Sequence, residues 1–171
     1  MVTCPSCNTE NIDGDDHCEG CGQPLNHTHL QPPASAVERS LLQDRVGVLN
    51  PKSPITVPAS TAVGDVLRLM VQNNIGCVLI THGNRPIGIF SERDALRKLN
   101  TQVAQLNSRP VSDFMTPDPQ TLVDNAKVAH AVQRMDLGGY RHLPIVSQND
   151  DLVGIISARD ILCYLANRMK G

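Results

Sequence analysis

The chain has 171 residues, of which 40% are hydrophobic and 19% are charged, and its formal net charge is −2. This balance suits one globular domain of medium size together with a small module. Trp is absent and aromatic residues make up only 2% of the chain, which excludes a nucleic-acid surface built on base stacking. Since no stretch approaches the roughly 18 apolar residues of a membrane-spanning helix, we expect no membrane contact. The first residues lack the basic and apolar regions of a secretion signal, so we expect a cytoplasmic protein.

The start of the chain contains two Cys-x2-Cys pairs with ten residues between them. The four thiols belong to Cys4, Cys7, Cys18 and Cys21. Thiolates at this spacing can surround Zn²⁺ tetrahedrally, and a closed site of four sulfurs is structural. Asn8 and Gly22 follow the pairs, and both tolerate the left-handed backbone that such tight turns need. We therefore predict a zinc ribbon of two short hairpins over residues 1–27, too small to fold without its metal.

Other interpretations of these cysteines remain. Disulfides would need an oxidising compartment, and a redox site would need only one Cys-x2-Cys pair beside a βαβ unit. His17, His27 and His29 are close enough in sequence to replace one cysteine ligand, but exposed loop positions are the expectation for all three.

The charge of the predicted ribbon argues against a nucleic-acid partner. Residues 1–30 contain five acidic side chains and no Lys or Arg. Binding to phosphates depends on Lys and Arg, and four thiolates add negative charge to the zinc site. We expect the ribbon to be structural or to contact a protein partner.

Residues 28–43 are predicted to form a linker followed by a helix. Pro32 and Pro33 mark the linker. Ser35 can cap a helix over 35–44, with Val37 and Leu41 on one side of it.

From residue 44 onwards the sequence is an internal repeat. Segments 88–94 and 154–160 both read Gly, two apolar residues, Ser, any residue, Arg, Asp. Upstream of each, apolar residues recur at i, i+3, i+4 and i+7, which predicts an amphipathic helix. These residues are Val63, Val66, Leu67 and Met70 in the first copy, and Val128, Ala131, Val132 and Met135 in the second.

Each copy is predicted to read β-α-β-β-α, which places the chain in the α/β (α+β) class. The other elements of copy 1 are expected at 55–57, 75–81, 86–90 and 92–99. Their counterparts in copy 2 are expected at 121–123, 141–146, 152–156 and 158–169. Ser60 or Thr61 should cap the first helix of copy 1, and Asp124 or Asn125 that of copy 2. We place copy 1 at 44–108 and copy 2 at 109–171. Each is about as long as the smallest chains that fold alone, so the copies should share a core.

The repeated pattern resembles the CBS domain, whose tandem pair is called a Bateman module. The resemblance rests on the paired Gly-x-x-Ser-x-Arg-Asp segments, on Asp-Phe-Met-Thr-Pro-Asp-Pro at 113–119, and on the apolar runs at 75–80 and 141–146. It implies two clefts that bind adenosine-type ligands such as AMP, ADP, ATP or S-adenosylmethionine. It also implies a homodimer formed through helices, a role suited to the apolar residues Leu96, Leu99, Ile161, Leu162 and Leu165.

The Ser-x-x-Asp pattern at each predicted helix start has two interpretations. One is a capping box, in which the serine oxygen satisfies a free backbone N–H. The other is a ligand site, because a helix N-terminus attracts anions and the neighbouring Arg side chains suit phosphate. The resemblance implies that the two Asp residues contact ribose and that the two Ser residues contact phosphate. It also implies that Arg141 and His142 lie near phosphate, where copy 1 has Gly76 and Cys77, so the clefts should be unequal.

The complete predicted ligand set is drawn from both copies. It consists of Thr56, Ser91, Arg93, Asp94, Thr121, Arg141, His142, Pro144, Ser157, Arg159 and Asp160.

The sequence contains no P-loop, dinucleotide-binding fingerprint or catalytic-triad order. We therefore predict a regulatory protein that is not an enzyme and that senses adenosine-type nucleotides. The alternative is an adaptor that contacts a partner through its zinc ribbon and uses the CBS pair only for dimerisation. The remaining cysteines, Cys77 and Cys163, are expected to be buried and inert.

Overall fold

The computed structural model describes residues 2–11, 16–25 and 35–169. Its contacts divide the chain into two units. The helix-and-ribbon unit consists of Met1–Asn50, Asp124–Arg141 and Ser157–Gly171, and the sheet unit consists of Pro51–Val123 and His142–Ile156. Each unit therefore takes segments from both halves of the repeat.

The ribbon is built from two short hairpins, as predicted. Strands β1 (Val2–Thr3) and β2 (Glu10–Asn11) pair antiparallel in the first, and a bridge between His17 and Pro24 closes the second. The buried residues between them are Cys4, Cys18 and Leu25. So small an apolar core stabilises little by itself.

Helix α1 (Ala36–Gln43) begins at the predicted cap. The Ser35 hydroxyl accepts a hydrogen bond from the Glu38 backbone N–H at 3.1 Å. A short 3-10 helix follows at Val46–Leu49. The predicted linker at 28–34, together with His27 and His29, lies outside the described residues.

Two longer helices complete this unit: α5 (Val128–Gly138) and α6 (Ala158–Arg168). The carboxylate of Asp44 joins α6 to the end of α1. It accepts hydrogen bonds from the Tyr164 hydroxyl at 2.8 Å and from Arg168 at 2.6 Å.

The first sheet has the strand order β3-β4-β5-β6. Its strands are β3 (Thr56–Val57), β4 (Cys77–His82), β5 (Arg85–Ser91) and β6 (Thr116–Pro117). Strands β3 and β4 are parallel and are connected by helix α2 (Val63–Asn73), whereas β4 and β5 form an antiparallel hairpin.

The core of the sheet unit lies between this sheet and α2. Val63, Val66 and Met70 of α2 are buried with Ile80 and Phe90. The apolar stripe predicted for this helix therefore faces the core.

The segment after β5 is less regular than predicted. A helical turn, α3 (Glu92–Asp94), continues as a π-helix over Ala95–Leu99, and α4 (Val103–Leu106) follows. Leu99 at the end of the π-helix is buried.

The second sheet repeats the first with the order β7-β8-β9. Its strands are β7 (Leu122–Val123), β8 (His142–Val146) and β9 (Leu152–Ser157). Strand β7 is parallel to β8, as β3 is to β4. The predicted β-α-β-β-α order thus appears twice, which confirms the mixed α/β class.

The two copies exchange short edge segments within the sheet unit. β6 lies near the start of copy 2 but pairs with β5 of copy 1, matching Thr116 with Ile89. Lys52 lies near the start of copy 1 but forms a two-bond bridge with Ile155 of copy 2, at 3.0 and 2.9 Å. Each sheet is therefore completed by a segment from the start of the other copy.

The predicted caps of α2 and α5 are wrong. The helices begin after Ala62 and Lys127, without a side-chain cap. The Val63 N–H donates instead to the Arg109 carbonyl at 2.8 Å, and the Val128 N–H donates to the Asp44 carbonyl at 2.9 Å. Backbone groups distant in sequence satisfy these helix starts.

Candidate functional site

Both Ser-x-x-Asp segments form complete capping boxes at a strand-to-helix junction. The carboxylate of Asp94 accepts from the Ser91 N–H at 3.0 Å and from the Ser91 hydroxyl at 2.6 Å. In copy 2, Asp160 accepts the same two bonds from Ser157, at 2.7 and 2.6 Å. Both carboxylates are therefore fixed at the start of the helix that follows, as the capping interpretation predicts.

Asp94 has two further hydrogen-bond donors and is buried. The Thr116 hydroxyl and the Lys98 ammonium each donate to its Oδ1 at 2.9 Å. Burial opposes ionisation of Asp94, but the hydrogen bonds from Ser91, Lys98 and Thr116 outweigh it and lower the pKa of the carboxyl. Asp94 is therefore a buried, ionised carboxylate that is paired with the Lys98 ammonium.

The basic side chains of the segments remain exposed. Arg93 and Arg159, the arginines next to Asp94 and Asp160, are both exposed. Arg141 is exposed too, and its backbone carbonyl accepts from the Ala158 N–H at 2.9 Å. This bond holds the backbone of Arg141 beside the start of α6, which is close in the chain to Arg159.

His142, at the start of β8, is half-buried against a glycine. A Cβ atom on Gly76 would lie 3.1 Å from His142 Cε1 and 3.2 Å from Nε2. The glycine thus makes room for the imidazole. The adjacent Cys77 is buried, and burial together with the charge of Glu92 raises the pKa of its thiol to about 12. Copy 1 therefore has an inert thiol where copy 2 has an imidazole.

The remaining predicted ligand residues differ in exposure. Thr56 in β3 is exposed, and Thr121, just before β7, is half-buried. Pro144 is buried within β8, so it contributes to packing. Cys163 is exposed rather than buried, since it lies on the outer side of α6, and its predicted burial is wrong.

The cysteine pairs form two turns of the same construction. In each, the first cysteine's carbonyl accepts from a residue in the left-handed conformation, Asn8 (φ 61°) or Gly22 (φ 69°). These bonds measure 2.9 Å to Cys4 and 2.8 Å to Cys18. The left-handed positions predicted from sequence are therefore confirmed.

The four sulfurs are close enough to share one metal ion. All Sγ atoms lie within 4.8 Å of one another, with Cys4 and Cys21 at 3.7 Å and Cys7 and Cys18 at 3.4 Å. A tetrahedral Zn²⁺ with Zn–S bonds of about 2.3 Å separates its sulfurs by about 3.8 Å. The geometry therefore fits a four-sulfur metal site.

Two of the thiols differ in acidity without a metal. Burial opposes ionisation of Cys18, but hydrogen bonds led by the Cys21 N–H and the Cys7 thiol lower its pKa to about 6. Burial raises the pKa of the Cys21 thiol above its usual range. A bound cation would stabilise all four as thiolates.

One contact that the sequence did not predict joins the ribbon to α5. The Ser6 hydroxyl and His130 Nε2 are hydrogen-bonded. Burial and the positive charge of Arg134 lower the pKa of His130, which favours the neutral imidazole. This contact anchors the ribbon to α5 next to Cys7.

Sequence comparison identifies the repeat. The profile of the CBS domain matches residues 48–101 and 111–167. A 17.7 kDa protein from the bps2 3′ region of Acidianus ambivalens is 33% identical over 106 residues, which cover 61% of this chain and 63% of that protein. The Arabidopsis thaliana CBS domain-containing protein CBSCBSPB1 is 27% identical over 117 residues, or 68% of this chain and 21% of that protein. The chain spans less than two thirds of the length of these curated relatives.

Solved structures share the fold. The CBS domain protein PAE2072 from Pyrobaculum aerophilum, complexed with AMP, is 30% identical with a TM-score of 0.62, covering 72% of this chain and 99% of that one. ATU1752 from Agrobacterium tumefaciens is 27% identical with a TM-score of 0.65, covering 71% and 98%. The CBS pair of MJ0100, in complex with 5′-methylthioadenosine and S-adenosylmethionine, is 20% identical with a TM-score of 0.63, covering 73% and 98%, and shows the fold alone.

Among the described residues, no helix combines the length and the apolar character needed to cross a bilayer. The profile matches both copies of the repeat, and the fold repeats with them. The chain belongs to the CBS domain family and carries a tandem pair of these domains.

Proposed function

We propose that the chain is a non-catalytic regulatory module that senses an adenosine-type ligand, AMP, ADP, ATP or S-adenosylmethionine, in its CBS pair. The observation that carries this proposal is the start of α6. There an eleven-residue helix presents its N-terminus with a fixed Ser157–Asp160 capping box and two exposed arginines, Arg141 and Arg159. Support also comes from the AMP complex of the PAE2072 protein, which is 30% identical.

In this proposal each group contributes a different interaction. The helix N-terminus and the guanidinium groups of Arg141 and Arg159 hold phosphate. Asp160 accepts hydrogen bonds from ribose hydroxyls. Thr121, His142 and Pro144 are the other ligand residues proposed for copy 2, and Thr56, Ser91, Arg93 and Asp94 are the corresponding set of copy 1. A ligand regulates by its differential affinity for two arrangements of the pair.

Calorimetry with AMP, ADP, ATP and S-adenosylmethionine tests the proposal. Asp160→Ala should weaken binding by roughly 1–3 kcal/mol, because a ribose hydroxyl loses its charged acceptor. Asp136→Ala, which removes an exposed carboxylate from α5, is the matched control and should bind like wild type. Equal affinity in wild type and Asp160→Ala would reduce the aspartate to a helix cap.

We further propose that Cys4, Cys7, Cys18 and Cys21 hold one structural Zn²⁺, whose chemistry is to fix the two hairpins together. The support is the matching pair of turns and the sulfur spacing. A four-thiolate site persists in a reducing compartment, so a cytoplasmic location is part of this proposal. Residues 1–30 contain acidic side chains but no Lys or Arg. This composition favours a protein partner for the ribbon over nucleic acid.

The second candidate function is an adaptor in which the CBS pair serves only as a dimerisation scaffold. Exposed apolar side chains favour it: Leu162 on α6 is 65% exposed, and Leu96 after α3 is 77% exposed. A thermal-shift screen separates the two functions. The adaptor predicts no shift with any adenosine ligand, whereas the sensor predicts stabilisation by at least one.

A further inference from the structure

The hydrogen-bonding capacity of Asp94 is already filled. An ionised carboxylate has about four acceptor positions on its two oxygens. Oδ2 accepts from the Ser91 N–H and the Ser91 hydroxyl, at 3.0 and 2.6 Å. Oδ1 accepts from Thr116 and Lys98, each at 2.9 Å. A ribose hydroxyl can therefore reach Asp94 only by displacing one of these donors.

The donors of Lys98 are filled as well. An ammonium group has three N–H donors. Besides Asp94, Lys98 Nζ donates to the backbone carbonyls of Phe114 at 2.8 Å and Met115 at 3.0 Å. The ammonium is thus fixed between the carboxylate and the segment that leads into β6, rather than extended towards a phosphate.

The residues at these two partner positions differ between the copies. The position equivalent to Lys98, 66 residues later as in the two Ser-x-Arg-Asp segments, is Tyr164, whose hydroxyl donates to Asp44 at 2.8 Å. In copy 1, Thr116 pairs with Ile89. The equivalent of Ile89 in copy 2 is Ile155, and its partner is Lys52. The repeat therefore conserves the capping box and changes the groups around it.

We propose that Lys98 and Thr116 form a latch over Asp94 that prevents the copy 1 segment from binding a ribose until the latch opens. Lys98 is then a specificity-determining residue: it sets the affinity of copy 1 for nucleotide without contacting the nucleotide. This inference rests on the proposed function, since it assigns a control of affinity to the ligand segment of copy 1.

The test is calorimetry of the full-length zinc-loaded chain with AMP as the probe. Lys98→Met keeps the apolar stem and removes the ammonium, while Arg97→Met, one residue earlier and also exposed, is the matched control. In the Asp160→Ala background, Lys98→Met should tighten AMP binding about tenfold, the equivalent of about 1.4 kcal/mol. Adding Asp94→Ala should abolish that gain, and Arg97→Met should produce none.

The outcomes distinguish the latch from the wider proposal. If wild type binds AMP and Lys98→Met leaves the affinity unchanged or weakens it, the latch is overturned and the sensing function stands. Absence of binding of AMP, ADP, ATP and S-adenosylmethionine in wild type and in every variant would overturn both. If Lys98→Met melts more than a few degrees below Arg97→Met, the substitution has destabilised the fold. The test is then repeated with Thr116→Val, which removes the hydroxyl donor to Asp94. Tighter binding in Thr116→Val supports the latch, and unchanged binding there overturns it.

Discussion

At the start of strand β8, the His142 imidazole occupies space that any side chain at position 76 would need. A Cβ on Gly76 would approach two ring atoms at 3.1 and 3.2 Å, and the Glu92 carboxyl carbon would be 3.7 Å away. Contacts of 3.1–3.2 Å are tight for carbon, and packed interiors relax only partly around added atoms. Copy 1 has Gly76 where copy 2 has Arg141, so the copies differ in charge here. The glycine also leaves the space that the His142 ring needs.

Gly76→Ala is expected to destabilise the fold by about 1–3 kcal/mol, the usual cost of overpacking. Gly47→Ala is the control, because a Cβ at that glycine meets no atom within 4 Å. Urea unfolding measures both. In a His142→Ala background the cost of Gly76→Ala should fall, and a cost that stays the same would show that His142 is not the obstacle.

The site residues were only partly predictable from the sequence. The capping boxes were predictable, because Ser and Asp three residues apart at a helix start interact locally. The Lys98 and Thr116 contacts with Asp94 were not predictable, because they depend on the path that the chain takes between α3 and β6. The Ser6–His130 contact joins residues 124 positions apart and left no pattern in the sequence.

At the level of elements, helices α2 and α5 were predicted by periodicity, since an apolar stripe is recorded in neighbouring residues. Their starts were mispredicted because carbonyls from distant segments satisfy the first N–H groups, a tertiary effect that no local pattern reports. The π-helix at Ala95–Leu99 was predicted as ordinary helix. It keeps Leu99 buried while the Lys98 ammonium contacts the carbonyls before β6.

The ribbon is the element that we expect to depend on a bound metal. Removing Zn²⁺ with a chelator, or the substitution Cys18→Ser, should disorder the ribbon, because binding energy in so small a segment is folding energy. Metal analysis should find about one zinc per chain in the wild type and none in Cys18→Ser, from a one-site ribbon.

Cys163→Ser is the matched control for the ribbon. It removes an exposed thiol outside the cluster and should retain the metal. Hydrogen exchange of the β1–β2 amides reports the disorder directly. Protection of those amides in metal-free protein would contradict the prediction.

For the whole molecule, we expect a homodimer. Leu96, Leu137 and Leu162 are 77%, 79% and 65% exposed, and burying such side chains at an interface is favourable. Light scattering at micromolar concentration should give twice the chain mass. Leu162→Glu should shift the mass towards the monomer, because a carboxylate buried at an interface loses its hydration.

Val153→Glu is the comparison variant. It places the same charge on strand β9, at a residue 52% exposed, and should leave the mass unchanged. A monomer in the wild type would argue against the association of these helices.

Because each sheet is completed by an edge segment of the other copy, the repeat unit of the sequence differs from the repeat unit of the structure. A chain cut between residues 108 and 109 would separate β6 from β5, and Lys52 from Ile155, so both halves would expose unpaired strand edges. The intact chain thus resembles a domain-swapped dimer whose two members are joined by one peptide linkage. A half expressed alone regains its strand edge only by pairing with the edge segment of another half, so we expect that neither CBS copy folds as an independent unit.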